Sequence, residues 1–254
     1  MLYILLGGIV LYIDMFGIKK KKDNSPLKSK SIRHIALSLN GIDNWSKDHN
    51  QELGGAWKES FLAVKEIMAL QVKMDVPIFT FNVLPMEIKG KDTFSLVVDS
   101  LVEFFNHLLS WDFIKENQVK ISVLGKWYDM PGRLVEVIKK LTVETKDYDK
   151  FFVNFCVNYD GQEEMIDSFR IIARKIKSAT LDPDSITKEE IKDNIYSSYF
   201  MPPDIIIITG GKKSLGGFLL WDSINSRAYF FDKLWPDFKG DDLTSIIQNV
   251  FNKK

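Results

Sequence analysis

The sequence predicts an α/β domain with a mostly parallel central sheet flanked by helices. Apolar runs of strand length alternate along the chain with stretches in which apolar residues recur at helical spacing. Such alternation is typical of a parallel sheet that is covered on both faces. The 254 residues suit one domain of this class, and the 45% of hydrophobic residues can form a sizeable core.

Five runs rich in β-branched or aromatic residues predict the strands. They are residues 34–39, 78–84, 119–124, 151–157 and 205–209. Ligands of parallel sheets bind outside the carboxyl ends of the strands. We therefore expect a functional site at the edge of the sheet where these runs end.

Stripes of apolar residues at helical spacing predict the helices that lie between the strands. The stripes are Trp57, Phe61, Val64 and Met68, then Val97, Leu101, Phe104 and Leu108, then Met165, Phe169, Ile172 and Ile176. Thr187 and Glu190 have the spacing of a capping box, in which each side chain bonds the other's backbone N–H group. Residues 243–251 can close the chain as a last helix.

The N-terminus differs from the rest of the chain. Residues 1–18 are apolar apart from Asp14, and residues 19–31 form a basic linker that contains Pro26, ahead of a domain at 32–254. The apolar run is shorter than the roughly 20 residues of a usual membrane-spanning helix. It can be a short anchor, an interfacial helix or an extra helix packed on the domain. We expect membrane association, with the domain on the cytoplasmic side, because four lysines follow the run.

Composition argues against several classes of function. The formal net charge is zero, whereas duplex binding usually needs a basic face, so we expect no nucleic-acid partner. The single cysteine, Cys156, makes an intrachain disulfide impossible and is expected to be buried in a strand. The three histidines lie far apart in sequence and lack metal-ligand spacing, so we expect packing or solvation for His34 and His107.

A glycine-lysine segment follows the last predicted strand and reads Gly210-Gly211-Lys212-Lys213-Ser214. Backbone N–H groups freed by glycine, with lysines beside them, could hold a phosphate. The spacing is not that of a P-loop, and a plain surface turn is the alternative. Glu163 and Glu164 open a predicted helix, where carboxylates favour the positive end of the helix dipole.

Four stretches resemble the signature blocks of the cis-prenyltransferase family, of the undecaprenyl diphosphate synthase type. They are residues 34–47 (HIALSLNGIDNWSK), 158–166 (NYDGQEEMI), 204–211 (DIIIITGG) and 218–238 (FLLWDSINSRAYFFDKLWPDF). In addition, residues 80–89 (TFNVLPMEIK) stand where the family has T-L-Y-A-F-S-x-E-N-W. The resemblance extends over nearly all of the chain after the basic linker and implies the family's α/β fold.

The resemblance also implies a reaction. Members of the family condense an allylic diphosphate with isopentenyl diphosphate, and magnesium and arginines must neutralise the two diphosphates. In this chain the aspartate that positions magnesium falls on Asn40, and a glutamate that is a second magnesium ligand falls on Arg227. Other polar positions of the motifs, among them four arginines, fall on different residue types: Ile42, Asn44, Leu53, Trp57, Ile208, Ser214, Gly216 and Gly217.

The resemblance leaves eight positions as remnants of a diphosphate site and no catalytic or metal-binding residue. The remnants are Asn40, Gly41, Trp45, Thr209, Gly210, Gly211, Lys212 and Lys213. Family positions that persist elsewhere are Glu87, Asn158, Tyr159 and Gly161, and most of the persisting positions are expected to serve the backbone or the core. No cofactor is expected in this chain, and magnesium is expected in a catalytic partner.

The resemblance therefore implies a non-catalytic subunit of a heteromeric cis-prenyltransferase, of the Nogo-B receptor type, which makes long-chain polyprenyl diphosphate. Its expected partners are a catalytic cis-prenyltransferase chain and, within the complex, the isoprenoid substrate or product. The chain ends in NVFNKK and lacks the R-x-G motif of such subunits, so we expect it to support or anchor its partner. Two alternatives remain: a weakly active or altered prenyltransferase that uses its lysines, and a protein that binds an isoprenoid lipid.

Overall fold

The computed structural model of the protein describes residues 5–6, 9–10 and 32–252. The chain divides into two compact units, Met1–Ser31 and Ile32–Lys254. In the first unit β1 (Leu5–Leu6) pairs antiparallel with β2 (Ile9–Val10), so these four residues are extended and not helical. The predicted membrane-associating segment at 1–18 and the predicted linker at 19–31 otherwise lie outside the described residues. Within the described ranges, no helix is both long enough and apolar enough to cross a bilayer.

The second unit is built on a six-stranded sheet. Its strands are β3 (His34–Ser38), β4 (Ile78–Pro85), β5 (Val119–Leu124), β6 (Phe151–Tyr159), β7 (Ile205–Ile208) and β8 (Arg227–Phe230). They lie in the order β5-β6-β4-β3-β7-β8, and every neighbouring pair is parallel. The predicted fold class is therefore confirmed, although the edge strand β8 was not among the predicted strands.

Helices cover both faces of this sheet. They are α1 (Ile42–Asp48), α2 (Leu53–Lys73), α3 (Phe94–Leu109), α4 (Asp112–Glu116), α5 (Gly132–Glu144), α6 (Gly161–Lys177), α7 (Lys188–Lys192) and α8 (Gly240–Asn252). Only half of the predicted capping box forms at the start of α7. The Thr187 hydroxyl accepts from the Glu190 N–H group at 3.2 Å, but the Glu190 carboxylate accepts from the Lys175 ammonium at 2.7 Å.

The larger part of the core lies between the sheet and helices α2, α3 and α5, and it is rich in aromatic rings. Phe61 and Phe104 stack at 4.7 Å between ring centroids, and Phe105 meets Phe155 of β6 at 5.3 Å. Trp235 stacks on Phe238 at 5.7 Å and donates its indole N–H to the Ser60 carbonyl at 2.9 Å. Such pairs add to the free energy of burial, so the block that contains Trp235 is part of the core.

The opposite face of the sheet, under α6, carries a smaller apolar cluster and a buried polar group. Cys156 is fully buried there, as predicted. His34 donates from Nδ1 to the Met201 carbonyl at 2.6 Å, which leaves Nε2 to accept from the Thr80 hydroxyl at 2.8 Å. Burial lowers the pKa of His34 to about 4, so the ring is neutral at physiological pH and has the packing role that the sequence suggested.

Candidate functional site

A cleft opens at the carboxyl ends of β3, β4 and β6, which is the edge where parallel sheets bind ligands. Its walls include Asn40 after β3, Asn82 and Glu87 from the end of β4 and beyond, Tyr159 at the end of β6, and Lys212 on the loop after β7. The space inside measures about 50 Å³ and accommodates a few water molecules. The predicted location of the site is thus where the structure has its cleft.

Asn40 is tied to its own strand. Its side-chain amide donates to the Ser38 carbonyl at 3.3 Å and to the Ser38 hydroxyl at 3.1 Å. Its backbone N–H donates to the Thr209 hydroxyl at 3.1 Å, and its backbone carbonyl accepts from the backbone N–H of Trp235 at 3.0 Å. An amide has no net charge, and magnesium prefers carboxylate oxygens. Asn40 therefore links β3 to the segment that follows β7.

Gly41 and Gly210 allow the loop after β3 and the loop after β7 to cross next to Asn40. Both have positive φ angles, of 87° and 75°. A Cβ atom on Gly210 would lie 2.7 Å from the Asn40 carbonyl carbon, and one on Gly41 would lie 2.6 Å from the Leu234 side chain. Only glycine fits this approach, since it has no Cβ and adopts positive φ at low cost.

The glycine N–H groups of the predicted phosphate loop are already engaged. The N–H of Gly210 bonds the Lys233 carbonyl at 2.7 Å, and that of Gly211 bonds the Phe231 carbonyl at 2.9 Å. These two groups serve the chain crossing and are not available to an anion. Of the two lysines, Lys212 lines the cleft, and Lys213 is exposed on the same loop.

The remaining remnants, Trp45 and Thr209, have structural contacts. The Trp45 indole donates to the Asp237 carboxylate at 2.8 Å, and its ring stacks on His49 at 4.2 Å between centroids. The Thr209 hydroxyl donates to the Ser38 carbonyl at 3.0 Å. Trp45 thus fastens α1 to the turn around Asp237, and Thr209 fastens β7 to β3.

Arg227 lies far from Asn40. It pairs with Ile205, so it stands at the beginning of β8, whereas the cleft lies at the other end of the strands. Four residues of strand span about 10 Å. The resemblance implied one site that had lost carboxylates at positions 40 and 227, but in this chain those positions do not meet.

Three polar residues of the cleft were not singled out from the sequence. Ser38 and Asn82 lie inside predicted strands, close to their carboxyl ends, and the side-chain amide oxygen of Asn82 is buried without a hydrogen-bond partner among the described residues. Asp160 precedes α6 and caps it by accepting from the N–H groups of Gln162 and Glu163 at 2.8 and 3.0 Å. A polar residue within an apolar run, close to its carboxyl end, was the signal that could have identified Ser38 and Asn82.

The residues of the cleft do not fit the magnesium site that the family implies. Across the described part of the chain, no group of three or more histidine, cysteine or carboxylate side chains lies together in a metal-binding arrangement. Glu87 is mostly exposed and faces the Lys212 ammonium at 3.9 Å, and Asp160 is occupied as a helix cap. Magnesium at a phosphate site is usually held by one or two carboxylates, with waters and substrate phosphates as the other ligands, and the position that supplies the family's carboxylate carries the neutral Asn40.

A buried carboxylate lies behind the cleft wall. Glu164 is 1% exposed and accepts the Tyr159 hydroxyl at 2.6 Å and the Tyr196 N–H at 3.0 Å. Burial raises its pKa to about 7, opposed by the Tyr159 hydrogen bond and reinforced by Asp222. Glu163, its neighbour, instead forms an ion pair with Lys126 at 2.6 Å. Glu164 therefore links β6 and α6 to the segment after α7. The sequence predicted only an interaction of this side chain with the helix dipole.

Comparison with known proteins agrees with this architecture. The model of a protein family described as "Putative undecaprenyl diphosphate synthase" matches residues 39–254. An isoprenyl transferase of Streptococcus agalactiae is 28% identical over 92% of this chain and 95% of its own length. A tritrans,polycis-undecaprenyl-diphosphate synthase (geranylgeranyl-diphosphate specific) of Methanocaldococcus jannaschii is 27% identical over 96% of this chain and 86% of its own.

Two solved structures share the fold. Lavandulyl diphosphate synthase from Lavandula x intermedia, crystallised with dimethylallyl diphosphate, has a TM-score of 0.84 and 20% identity over 88% of this chain and 96% of its own. A probable undecaprenyl diphosphate synthase from Campylobacter jejuni has a TM-score of 0.72 and 18% identity over 89% and 98%. The family match covers most of the chain, and so the chain belongs to the undecaprenyl diphosphate synthase-like family of cis-prenyltransferases.

Proposed function

We propose that the chain is a non-catalytic subunit of a heteromeric cis-prenyltransferase. In this proposal a catalytic chain of the same family makes long-chain polyprenyl diphosphate from isopentenyl diphosphate and an allylic diphosphate. The observation that carries the proposal is the chemistry of the cleft. Asn40, a neutral residue that lines the cleft, is hydrogen-bonded to its own strand, and the neighbouring glycine N–H groups are bonded to backbone carbonyls.

Charge supports this proposal. Two diphosphates held side by side need several cations, and each charge-assisted hydrogen bond contributes ~1.5–3 kcal/mol. Among the described residues that line the cleft, Lys212 supplies the single cation, and Glu87 faces it at 3.9 Å. A lysine is also a point charge and does not clamp phosphate as the planar arginine group does. Such a cleft lacks the means to hold and activate both substrates.

The retained frame supports a structural role. Trp235 and Phe238 of the LWPDF block are fully buried in the core, whereas positions 40, 214 and 216, at which the family's residue types are replaced, line the cleft. A folded chain of this kind can stabilise a partner of the same family without reacting itself. The proposal further includes magnesium in the catalytic partner, attachment to a membrane through residues 1–18, and a domain on the cytoplasmic side.

The test compares the full chain alone and in combination. Purified chain is incubated with isopentenyl diphosphate, an allylic diphosphate and magnesium, with and without a family member from the same cell that carries aspartate at the position of Asn40. We expect no elongation by the chain alone and faster elongation when both are present than with the other member alone. Elongation by the isolated chain would overturn the proposal.

An altered prenyltransferase is the second candidate, because Lys212 and Glu87 both face the cleft. If the isolated chain elongates, this candidate predicts that Lys212→Ala abolishes the activity, while Lys213→Ala on the same loop leaves it. An isoprenoid-binding role finds less support. Aromatic rings such as Phe61, Phe104 and Phe155 occupy the space between the sheet and helices α2 and α3.

A further inference from the structure

The wall of the cleft contains a side-chain amide that has no hydrogen-bond partner. Asn82 lies inside β4, lines the cleft and is only 7% exposed. Its Oδ1 atom is buried without a partner, and its Nδ2 atom makes no hydrogen bond with any residue that the structure describes. A buried polar group is costly to leave unpaired, so its partner is normally supplied by the protein, by ordered water or by a ligand. The Asn82 amide therefore indicates a bound group in the cleft.

Two neutral polar side chains lie beside this amide. Ser38 pairs with Asn82 in the register of β3 and β4, so the two side chains are neighbours on one face of the sheet. The Ser38 hydroxyl accepts from the Asn40 amide at 3.1 Å, which leaves its own proton free to be donated. The Oδ1 atom of Asn40 has no partner among the described residues. Ser38, Asn40 and Asn82, which we call the neutral pocket, thus offer both donors and acceptors to a ligand.

The charges around the neutral pocket disfavour an anion. Among the described residues that line the cleft, the carboxylates of Glu87 and Asp160 outnumber the one ammonium group, that of Lys212. Asp160 also caps the N-terminus of α6, so a carboxylate of the chain already holds the place that would attract an anion. A hydroxyl group carries no charge, and it both donates and accepts. It therefore matches the neutral pocket better than a phosphate does.

We infer that the neutral pocket binds a small uncharged polyol, with Asn82 donating from Nδ2 to one hydroxyl group and Asn40 accepting at Oδ1 from another. This inference rests on the proposed function, because a cleft that served prenyl transfer would hold diphosphates instead. The space of about 50 Å³ limits the enclosed part of the ligand to a few non-hydrogen atoms. The motifs that the chain resembles have tyrosine at position 82 and aspartate at position 40, so both amides distinguish this chain.

The experiment titrates the ¹⁵N-labelled full chain with glycerol, whose hydroxyl groups can replace the few water molecules of the cleft. The side-chain NH₂ signals of Asn40 and Asn82 are followed by NMR, and the Asn82 signal is assigned from its absence in Asn82→Leu. Asn82→Leu removes the amide at similar volume, and Asn82→Ala is a second variant. Asn106→Leu, which alters an exposed asparagine on α3, is the matched control. Circular dichroism establishes that each variant is folded. A parallel titration uses inorganic pyrophosphate with magnesium chloride.

We expect both side-chain signals of the wild type to shift saturably with glycerol, with half-saturation on the order of 10 mM for so small a ligand. The shift of the Asn40 signal should need at least about 10-fold more glycerol in both Asn82 variants, because their hydrogen bond to the ligand is lost. Asn106→Leu should behave as the wild type. Pyrophosphate should leave both signals in place.

Shifts that grow only linearly with glycerol would mean that water alone fills the neutral pocket, and the inference would be wrong. It would also be wrong if the Asn82 variants bound glycerol as the wild type does, or if pyrophosphate moved the same signals at lower concentrations than glycerol. None of these results involves the elongation assay. The proposed function fails separately, when the isolated chain elongates an allylic diphosphate.

Discussion

At the scale of single residues, the pKa values of two buried titratable side chains are shifted so that the uncharged form of each is favoured. Burial lowers the pKa of His34 from 6.5 to about 4, and burial raises the pKa of Glu164 from 4.5 to about 7. Each group is therefore uncharged in the folded state over much of the range between these values. The two displacements have opposite consequences for stability as the pH changes.

Glu164→Gln tests the carboxyl group. Between pH 4.5 and about 7 the folded state holds a proton on Glu164 that the unfolded state has released. Its contribution to the free energy of unfolding therefore falls as the pH rises, by roughly 3 kcal/mol at most. We expect the variant to lose this decline, so that its stability rises with pH relative to that of the wild type. Chemical denaturation across this pH range measures the difference.

Glu163→Gln is the control for that experiment, because it removes a carboxylate on the same helical turn that is partly exposed. Its stability should follow the pH dependence of the wild type. If Glu164→Gln shows the same decline as the wild type, the carboxyl group is ionised in the folded state and the interpretation is wrong.

His34→Gln tests the imidazole. Between pH 4 and 6.5 the unfolded state binds a proton that the buried ring does not. The contribution of His34 to stability is therefore complete above pH 6.5 and is lost as the pH falls toward 4, by roughly 3 kcal/mol at most. We expect the variant to lose stability more steeply than the wild type as the pH rises through this window, since the decline due to Glu164 is then unopposed. A rise in its stability over that window, measured by denaturation, would contradict this expectation.

At the scale of elements, the crossing of the loops after β3 and β7 depends on glycine. Gly210 and Gly211 both have positive φ, at 75° and 72°, but only Gly210 lies against another backbone. Gly211→Ala should cost ~1 kcal/mol for the left-handed conformation alone. Gly210→Ala should cost a further 1–3 kcal/mol or so, because its Cβ would lie 2.7 Å from the Asn40 carbonyl carbon. Equal losses of unfolding free energy in the two variants would show that the close approach is unimportant.

Most elements of the fold could be predicted from the sequence because their apolar periodicity is strong. Helix α5 was missed although Leu134, Val137, Ile138 and Leu141 carry the spacing of a buried stripe. Strand β8 is a different case. Its four residues are largely exposed, and only the pairing with β7 defines it as a strand. The capping box forms only on its Thr187 side, because Lys175, twelve residues before Thr187, attracts the Glu190 carboxylate.

The position of the cleft could be predicted, but the hydrogen-bonding partners of its groups could not. The ends of the strand runs placed Asn40, Gly210 and Lys212 at one edge of the sheet, and the structure has its cleft there. Whether the Gly210 N–H group is free depends on where residues 231–233 return to the sheet, and that is a long-range property of the fold. The same holds for Arg227, whose place at the far end of β8 follows from strand register.

At the scale of the whole molecule, fold and reaction chemistry depend on different residues, so under the proposed function one substitution should not be enough to confer activity. Asn40→Asp returns the family's carboxylate to the cleft, but that carboxylate would face the Ser38 carbonyl, to which the Asn40 amide now donates at 3.3 Å. We expect a loss of ~1–3 kcal/mol in unfolding free energy, since two acceptors are brought together.

The proposed function predicts that the same variant, like the wild-type chain, gives no product in the elongation assay. Among the described lining residues Lys212 is still the single cation, Glu87 faces it at 3.9 Å and Asp160 caps α6, so no second carboxylate is placed to share a magnesium ion with the new one. Magnesium should therefore leave the melting temperature of Asn40→Asp unchanged, because binding to the folded state alone is what raises it. A magnesium-dependent rise in melting temperature, together with elongation by the isolated variant, would instead mean that the frame is one residue away from an active enzyme. We expect neither effect, because the chain keeps the core residues of the family while most charged positions of its motifs are replaced.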